Sequence, residues 1–151
     1  MNRKHNIDDY LSIYEKLIKI NKNIMFSSDF IIGYPGETDL EFNKTLNLIK
    51  KINFINSYSF IFSPRPGTKA ANLDTIEKKV SQERLETIQK ILFKNQIERN
   101  KSLEGKIISV LVENKMKDGV KLFGRTEYMT PVIFDGSIKN IGKIVNVEII
   151  K

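Results

Sequence analysis

Cysteine is missing from this chain altogether. That absence excludes disulfides, thiolate zinc sites, cysteine nucleophiles and ligation of an iron–sulfur cluster by the chain itself. The one histidine, His5, stands next to the amino terminus. Neither a Ser-His-Asp triad nor a histidine-based metal cluster is therefore expected, and no catalytic residue or metal ligand is assigned. No run approaches about 18 consecutive apolar residues, and the amino terminus lacks the h-region of a signal peptide, so the expectation is a cytoplasmic protein with no membrane partner. Acidic residues are also in short supply, 18 against 25 Lys and Arg, for a formal net charge of +7. An excess of that size favours an acidic partner, nucleic acid foremost, although an Asn-, Ile- and Lys-rich composition produces the same excess without one.

What is present is the composition of a globular protein. Of 151 residues, 40% are hydrophobic and 28% charged, enough for a real core in one domain or in one domain and a small second. The informative stretch is 29–38. An apolar, β-branched run (Ile24, Met25, Phe26, Phe30, Ile31, Ile32) ends at Gly33, and Thr38 with Glu41 forms a capping box that opens a helix. Strand, glycine turn and helix start place backbone groups at the carboxyl end of a strand, where ligands of α/β folds sit. Gly33 and Gly36 are equally well explained as the residues that a tight turn requires. A phosphate cradle is disfavoured, because Glu37, Asp39 and Glu41 crowd the helix start with negative charge. A ligand there should be neutral or cationic on the side facing Glu37.

Before that stretch, Tyr10, Leu11, Tyr14, Leu17 and Ile18 recur with helical period. After it, Phe42, Leu46, Ile49 and Ile52 mark the inner face of a helix over 39–52, and a second apolar run predicts a strand over 54–63. Strand, helix and strand with short connections make a βαβ unit whose two strands are parallel. Near-continuous hydrophobicity in both predicts a sheet covered on both faces. Two parallel strands do not make a stable sheet, so this region reads as a piece of a larger sheet or barrel. In the loop that follows, Pro64 and Pro66 hold Arg65 on stiff backbone. Arg65 is either simply solvated or aimed at the same face as the turn at Gly33.

A long helix is predicted over 81–103, with Leu85, Ile88, Ile91, Leu92 and Phe93 on its apolar face. Past Gly105 the period changes to two, and strands are expected over 106–113, 120–125, 130–134 and 141–150, the pattern of a small antiparallel barrel. Lys106, Lys115, Lys117, Lys121, Arg125 and Lys143, with Phe123 and Tyr128 nearby, supply the basic and aromatic mixture used to bind single-stranded RNA. A solvated barrel rim would carry the same residues.

Taken together, MNRKH at 1–5, SDFIIGYPGET at 28–38, YSFIFSPRPGT at 58–68, SQERL at 81–85 and Gly124-Arg125 in the barrel have an order that resembles the carboxyl-terminal portion of the radical-SAM tRNA methylthiotransferases. The likeness covers essentially all 151 residues and is strongest to the branch that methylthiolates N(6)-dimethylallyladenosine beside the anticodon. It implies an α/β fold: an incomplete parallel, TIM-like radical-SAM barrel segment with a long linking helix over 1–100, then a TRAM-type RNA-binding β-barrel over 101–151. It implies S-adenosylmethionine contacts at Asp29, Ile31, Gly33, Gly36 and Glu37, with Asp29 where the wider superfamily has glycine. Arg3, Ser63 and Arg65 would face the cofactor cavity. The family's 4Fe-4S clusters are held by cysteines of a region ahead of the part matched here, and this chain has none to offer. Three expectations follow: one piece of a split enzyme that binds tRNA and needs a separate chain carrying the cluster-binding domains, a stand-alone tRNA-binding module, or an inactive remnant. In none of them is the chain active alone.

Overall fold

A computed structural model describes residues 4–117 and 119–150. The chain divides into two compact units, Met1–Leu92 and Phe93–Lys151.

In the first unit, helix α1 (Ile7–Ile20) opens on a reciprocal cap. The Asn6 side chain accepts from the Asp9 amide at 2.9 Å, and the Asp9 carboxylate accepts from the Asn6 amide at 3.1 Å. Strand β1 (Asp29–Ile32) leads through the glycine turn to α2 (Asp39–Ile52), which opens on the expected Thr38–Glu41 box. Strand β2 (Tyr58–Ile61) pairs with β1 in parallel, with Asp29 opposite Tyr58 and Ile32 opposite Ile61. A single 3-10 turn (Lys69–Asn72) precedes α3 (Lys78–Lys101), which starts and ends a little earlier than expected. Phe30, Ile32, Phe42, Ile49, Ile52, Phe54, Ile88 and Leu92 form the core, with Tyr10, Leu11 and Tyr14 packed against it. Burial raises the pKa of the Tyr10 phenol.

Two expectations for this unit are corrected. The strands are four residues long rather than nine or ten, and β2 is shortened because Asn56, with Asn53 just ahead of it at the end of α2, adopts a positive φ and breaks the extended run. Beyond the strands, separate bonds continue the pairing: the Ile55 amide to the Phe26 carbonyl, the Tyr58 amide to the Ser28 carbonyl, and the Phe62 amide to the Ile32 carbonyl. Nor is the sheet covered on both faces. Phe30 and Ile32 point into the core, whereas Ile31 is exposed, Phe60 is 54% exposed and Tyr58 66%. The helical core lies against one face, so apolar residues on the other stay open, Tyr58 and Phe60 stacked with ring centroids 6.4 Å apart.

The second unit takes in the end of α3 and four antiparallel strands: β3 (Ile107–Lys115), β4 (Lys121–Thr126), β5 (Pro131–Asp135) and β6 (Ile144–Glu148), in the order β5-β4-β3-β6. The expected barrel is a curled half-barrel, with β5 and β6 as its edges. The last strand starts later than expected, because a 3-10 turn (Ile138–Asn140) and Gly142, with φ of 82°, intervene. Val110, Val112, Leu122 and Leu103 are its buried apolar residues. Gly124 permits the close approach of β4 to β3: a Cβ there would stand 2.4 Å from the Leu111 carbonyl oxygen and 2.5 Å from Cγ1 of Val110.

Candidate functional site

The turn between β1 and α2 is built from Tyr34, Pro35, Gly36 and Glu37. Pro35 supplies the fixed φ of the second position, Gly36 takes φ of 81°, and the Glu37 amide donates to the Tyr34 carbonyl at 2.9 Å, which is a type II turn. Glu37 folds back behind it. One of its carboxylate oxygens accepts from the Gly33 amide at 3.0 Å and from Nη1 of Arg84 at 2.8 Å. The same Nη1 donates to the Glu37 carbonyl at 3.0 Å, and Nη2 donates to the Asp39 carboxylate at 2.7 Å. Arg84 is only 7% exposed and stacks over the Phe42 ring. Burial opposes its charge, but the bonds to Asp39 and Glu37 outweigh that cost and raise the guanidinium's pKa further. A cation for Glu37 is thus already inside the fold.

Beside this turn a cavity of about 850 Å³ opens, lined by Ile31, Tyr34, Phe60, Phe62, Ser63 and Arg65 among others. The Tyr34 and Phe62 rings meet edge to face, with centroids 5.1 Å apart. Of the residues expected to face the cofactor, Ile31, Ser63 and Arg65 are on this wall. Gly33, Gly36 and Glu37 form the turn next to it, and Asp29 lies at the opposite end of β1. Arg3 lies outside the described residues. The Arg65 carbonyl accepts from the Thr68 side chain at 2.8 Å and from its amide at 3.2 Å, which closes the proline loop on itself.

In the sheet unit the expected basic residues separate into groups. Lys115, Lys117 and Lys121 gather at the β3–β4 hairpin, where the Met116 amide donates to the Lys121 carbonyl at 2.7 Å. Arg125 is the last but one residue of β4, paired with Glu113 and stacked over Phe123 with its guanidinium 5.0 Å from the ring centroid. The Lys143 carbonyl accepts from the Val112 amide, and Lys106 stands at the far end of β3 from the hairpin. Tyr128 is covered by Arg99, at 5.4 Å.

Residues 101–151 match the TRAM domain family. Over 150 residues, 99% of the chain, the sequence is 70% identical to a protein of Pelagibacter ubique (strain HTCC1062) described as tRNA-2-methylthio-N(6)-dimethylallyladenosine synthase. Synthases of the same description from Buchnera aphidicola subsp. Baizongia pistaciae and Wolbachia pipientis wMel are 46% and 43% identical over the whole chain. This chain is a homologue of the carboxyl-terminal third of the tRNA methylthiotransferases. It spans 34% to 35% of the length of these relatives.

Within the first unit, Ser81 and Arg84 are what sequence reasoning missed. Both belong to the SQERL stretch that helped carry the resemblance, yet their partners lie more than forty positions away: Arg84 meets Glu37, and Ser81 packs against Gly33. A signal was available, since an arginine on the apolar side of α3, four residues before Ile88, calls for an acidic partner inside the fold. Among the described residues no group of three or more His, Asp or Glu is placed to hold a metal ion, and no helix is long and apolar enough to cross a membrane.

Proposed function

We propose that this chain supplies the carboxyl-terminal part of a tRNA methylthiotransferase acting on N(6)-dimethylallyladenosine beside the anticodon. In this proposal the first unit is one wall of a parallel, TIM-like radical-SAM barrel and the second is the grip on tRNA, so that the division of labour falls near residue 100. The observation that carries it is 70% identity to such a synthase across 99% of the chain. The open apolar face of β1 and β2 supports it, because Ile31, Tyr58 and Phe60 lie on the side away from the helices, the side that a barrel wall turns inward.

The cavity wall suits S-adenosylmethionine. Tyr34, Phe60 and Phe62 offer ring faces to a purine, Ile31 excludes water from it, and Arg65 offers a fork to a carboxylate, with the Ser63 hydroxyl beside it. The turn at Gly33, Gly36 and Glu37 shapes that wall, and Asp29 and Arg3 are kept as further cofactor contacts on the strength of the resemblance alone. When bound, S-adenosylmethionine supplies the methyl group of the product. The 4Fe-4S clusters find no fit here, as the chain contains no cysteine. Their ligands belong to the preceding portion of the family, whether in one polypeptide with this segment or on a separate chain, and no chemical step is assigned to residues of this chain.

For tRNA, the hairpin lysines Lys115, Lys117 and Lys121 bind phosphate, together with Lys106 and Lys143. The stacked pair Phe123 and Arg125 on the face of β4 meets an unstacked base. The test is to express the chain with the first two thirds of the Pelagibacter relative and analyse tRNA nucleosides by mass spectrometry. The methylthiolated adenosine should form with both parts and with neither alone. Its absence from an intact, cluster-loaded pair would overturn the proposal.

A further inference from the structure

We infer that Arg84, together with Ser81, is a positioning residue for the turn beside the cavity: it turns Glu37 away from the wall, so that a bound nucleoside meets Tyr34 and Ile31 and no free acid. The inference rests on the reading of that cavity as the S-adenosylmethionine site.

Four observations converge. The guanidinium fixes Glu37 at two atoms, its carbonyl at 3.0 Å and its carboxylate at 2.8 Å. The carboxylate oxygen it holds is the one that accepts from the Gly33 amide at 3.0 Å, so a single oxygen ties both ends of the turn to α3. At Gly33, with φ of 71°, a Cβ would stand 2.4 Å from Oγ of Ser81, which shows how closely α3 presses on the turn. Of the two acids that Arg84 holds, the Glu37 side chain is 12% exposed and that of Asp39 is 91% exposed. Glu37 therefore depends on the pair, whereas Asp39 serves to aim the fork. Between the anchored ends the backbone has one way to run, and Tyr34 is delivered edge-on to Phe62 at the cavity wall. An ammonium in place of the guanidinium keeps the charge but not the planar fork that grips Glu37 and Asp39 together.

The experiment uses the full chain with S-adenosylhomocysteine as the probe, titrated by calorimetry, and amide hydrogen exchange over residues 30–38 with the core of α2 as the internal control. Arg84→Lys should fold, exchange faster at the Gly33 and Glu37 amides with α2 unchanged, and bind the probe about tenfold more weakly, the scale expected of a displaced positioning group. An Arg84→Lys protein that folds and binds as the parent does overturns the inference. Should Arg84→Lys fail to fold, Asp39→Ala removes only the exposed arm of the fork. Its probe affinity should fall about threefold as the turn loosens, and unchanged affinity overturns the inference. If the parent chain does not bind the probe at all, the cofactor reading of the cavity fails, and the positioning role, which depends on it, fails with it. Loss confined to the variants leaves that reading standing.

Discussion

The first unit has a sheet of two parallel strands, four residues each, supported by helices on one face. The second has four antiparallel strands whose ladders run from Ile107–Glu148 to Arg125–Pro131 without a gap longer than one bulge at Val112 to Asn114. Side chains therefore do different work in the two. In the first, order comes from buried side chains reaching across long stretches of sequence, with Arg84 as the extreme case. In the second, order comes from neighbouring strands bonding backbone to backbone, and the ion pair on its sheet, Arg125 with Glu113, lies on a half-exposed face. A buried pair that loses one partner leaves an uncompensated charge, whereas an exposed pair that does so leaves a solvated one.

The largest predicted effect separates the units on that point. Arg84→Ala should destabilise its unit by about 3 kcal/mol or more in urea unfolding, because Glu37 keeps its charge in a buried site. Arg125→Ala should cost about 1 kcal/mol or less. Equal losses would erase the distinction. Next come the glycines. Gly124→Ala should cost about 2 kcal/mol by forcing β3 and β4 apart, since its Cβ meets backbone and a core valine. Gly36→Ala meets nothing within 4 Å and should cost about 1 kcal/mol through its left-handed φ alone. Thr38→Ala, which removes the acceptor for the Glu41 amide, should cost about 1 kcal/mol as a lost helix cap.

The smallest effect is a pH dependence in the first unit. Backbone and side-chain hydrogen bonds from Thr38 lower the Glu41 pKa below its unfolded value. Its stabilising contribution is therefore complete above the ordinary glutamate pKa of about 4.3 and is lost as pH falls through the lower folded value. The stability difference between the parent and Glu41→Gln should shrink over that acid range, and a difference unchanged from neutral pH to below 4 would contradict it.

Features legible in the sequence were those whose partners lie close along the chain. The Thr38 box is set by residues three apart, and the Gly33 turn by its own φ requirement. The parallel pairing of β1 and β2 follows from a short βαβ connection, which allows no other direction. Asn6 and Asp9 form an equally local box that the sequence could have revealed in the same way. The strand lengths were less legible, because the left-handed Asn53 and Asn56 look like any other polar residues between apolar ones. The open face of the parallel pair was hidden altogether. Alternating burial and two-sided burial give the same apolar string when the uncovered side is apolar too, as Ile31, Tyr58 and Phe60 are.

Composition by itself settled that this polypeptide provides no thiolate, and local pattern settled the succession of a parallel α/β region and an antiparallel one, since both depend only on residue identity and short spacing. Tertiary structure decided where Glu37 points, which cavity-side groups remain uncommitted, and that the carboxyl-terminal sheet curls without closing. Those outcomes depend on which distant groups meet once the chain is folded, and for a buried charge the partner it finds decides whether it is a ligand or a brace.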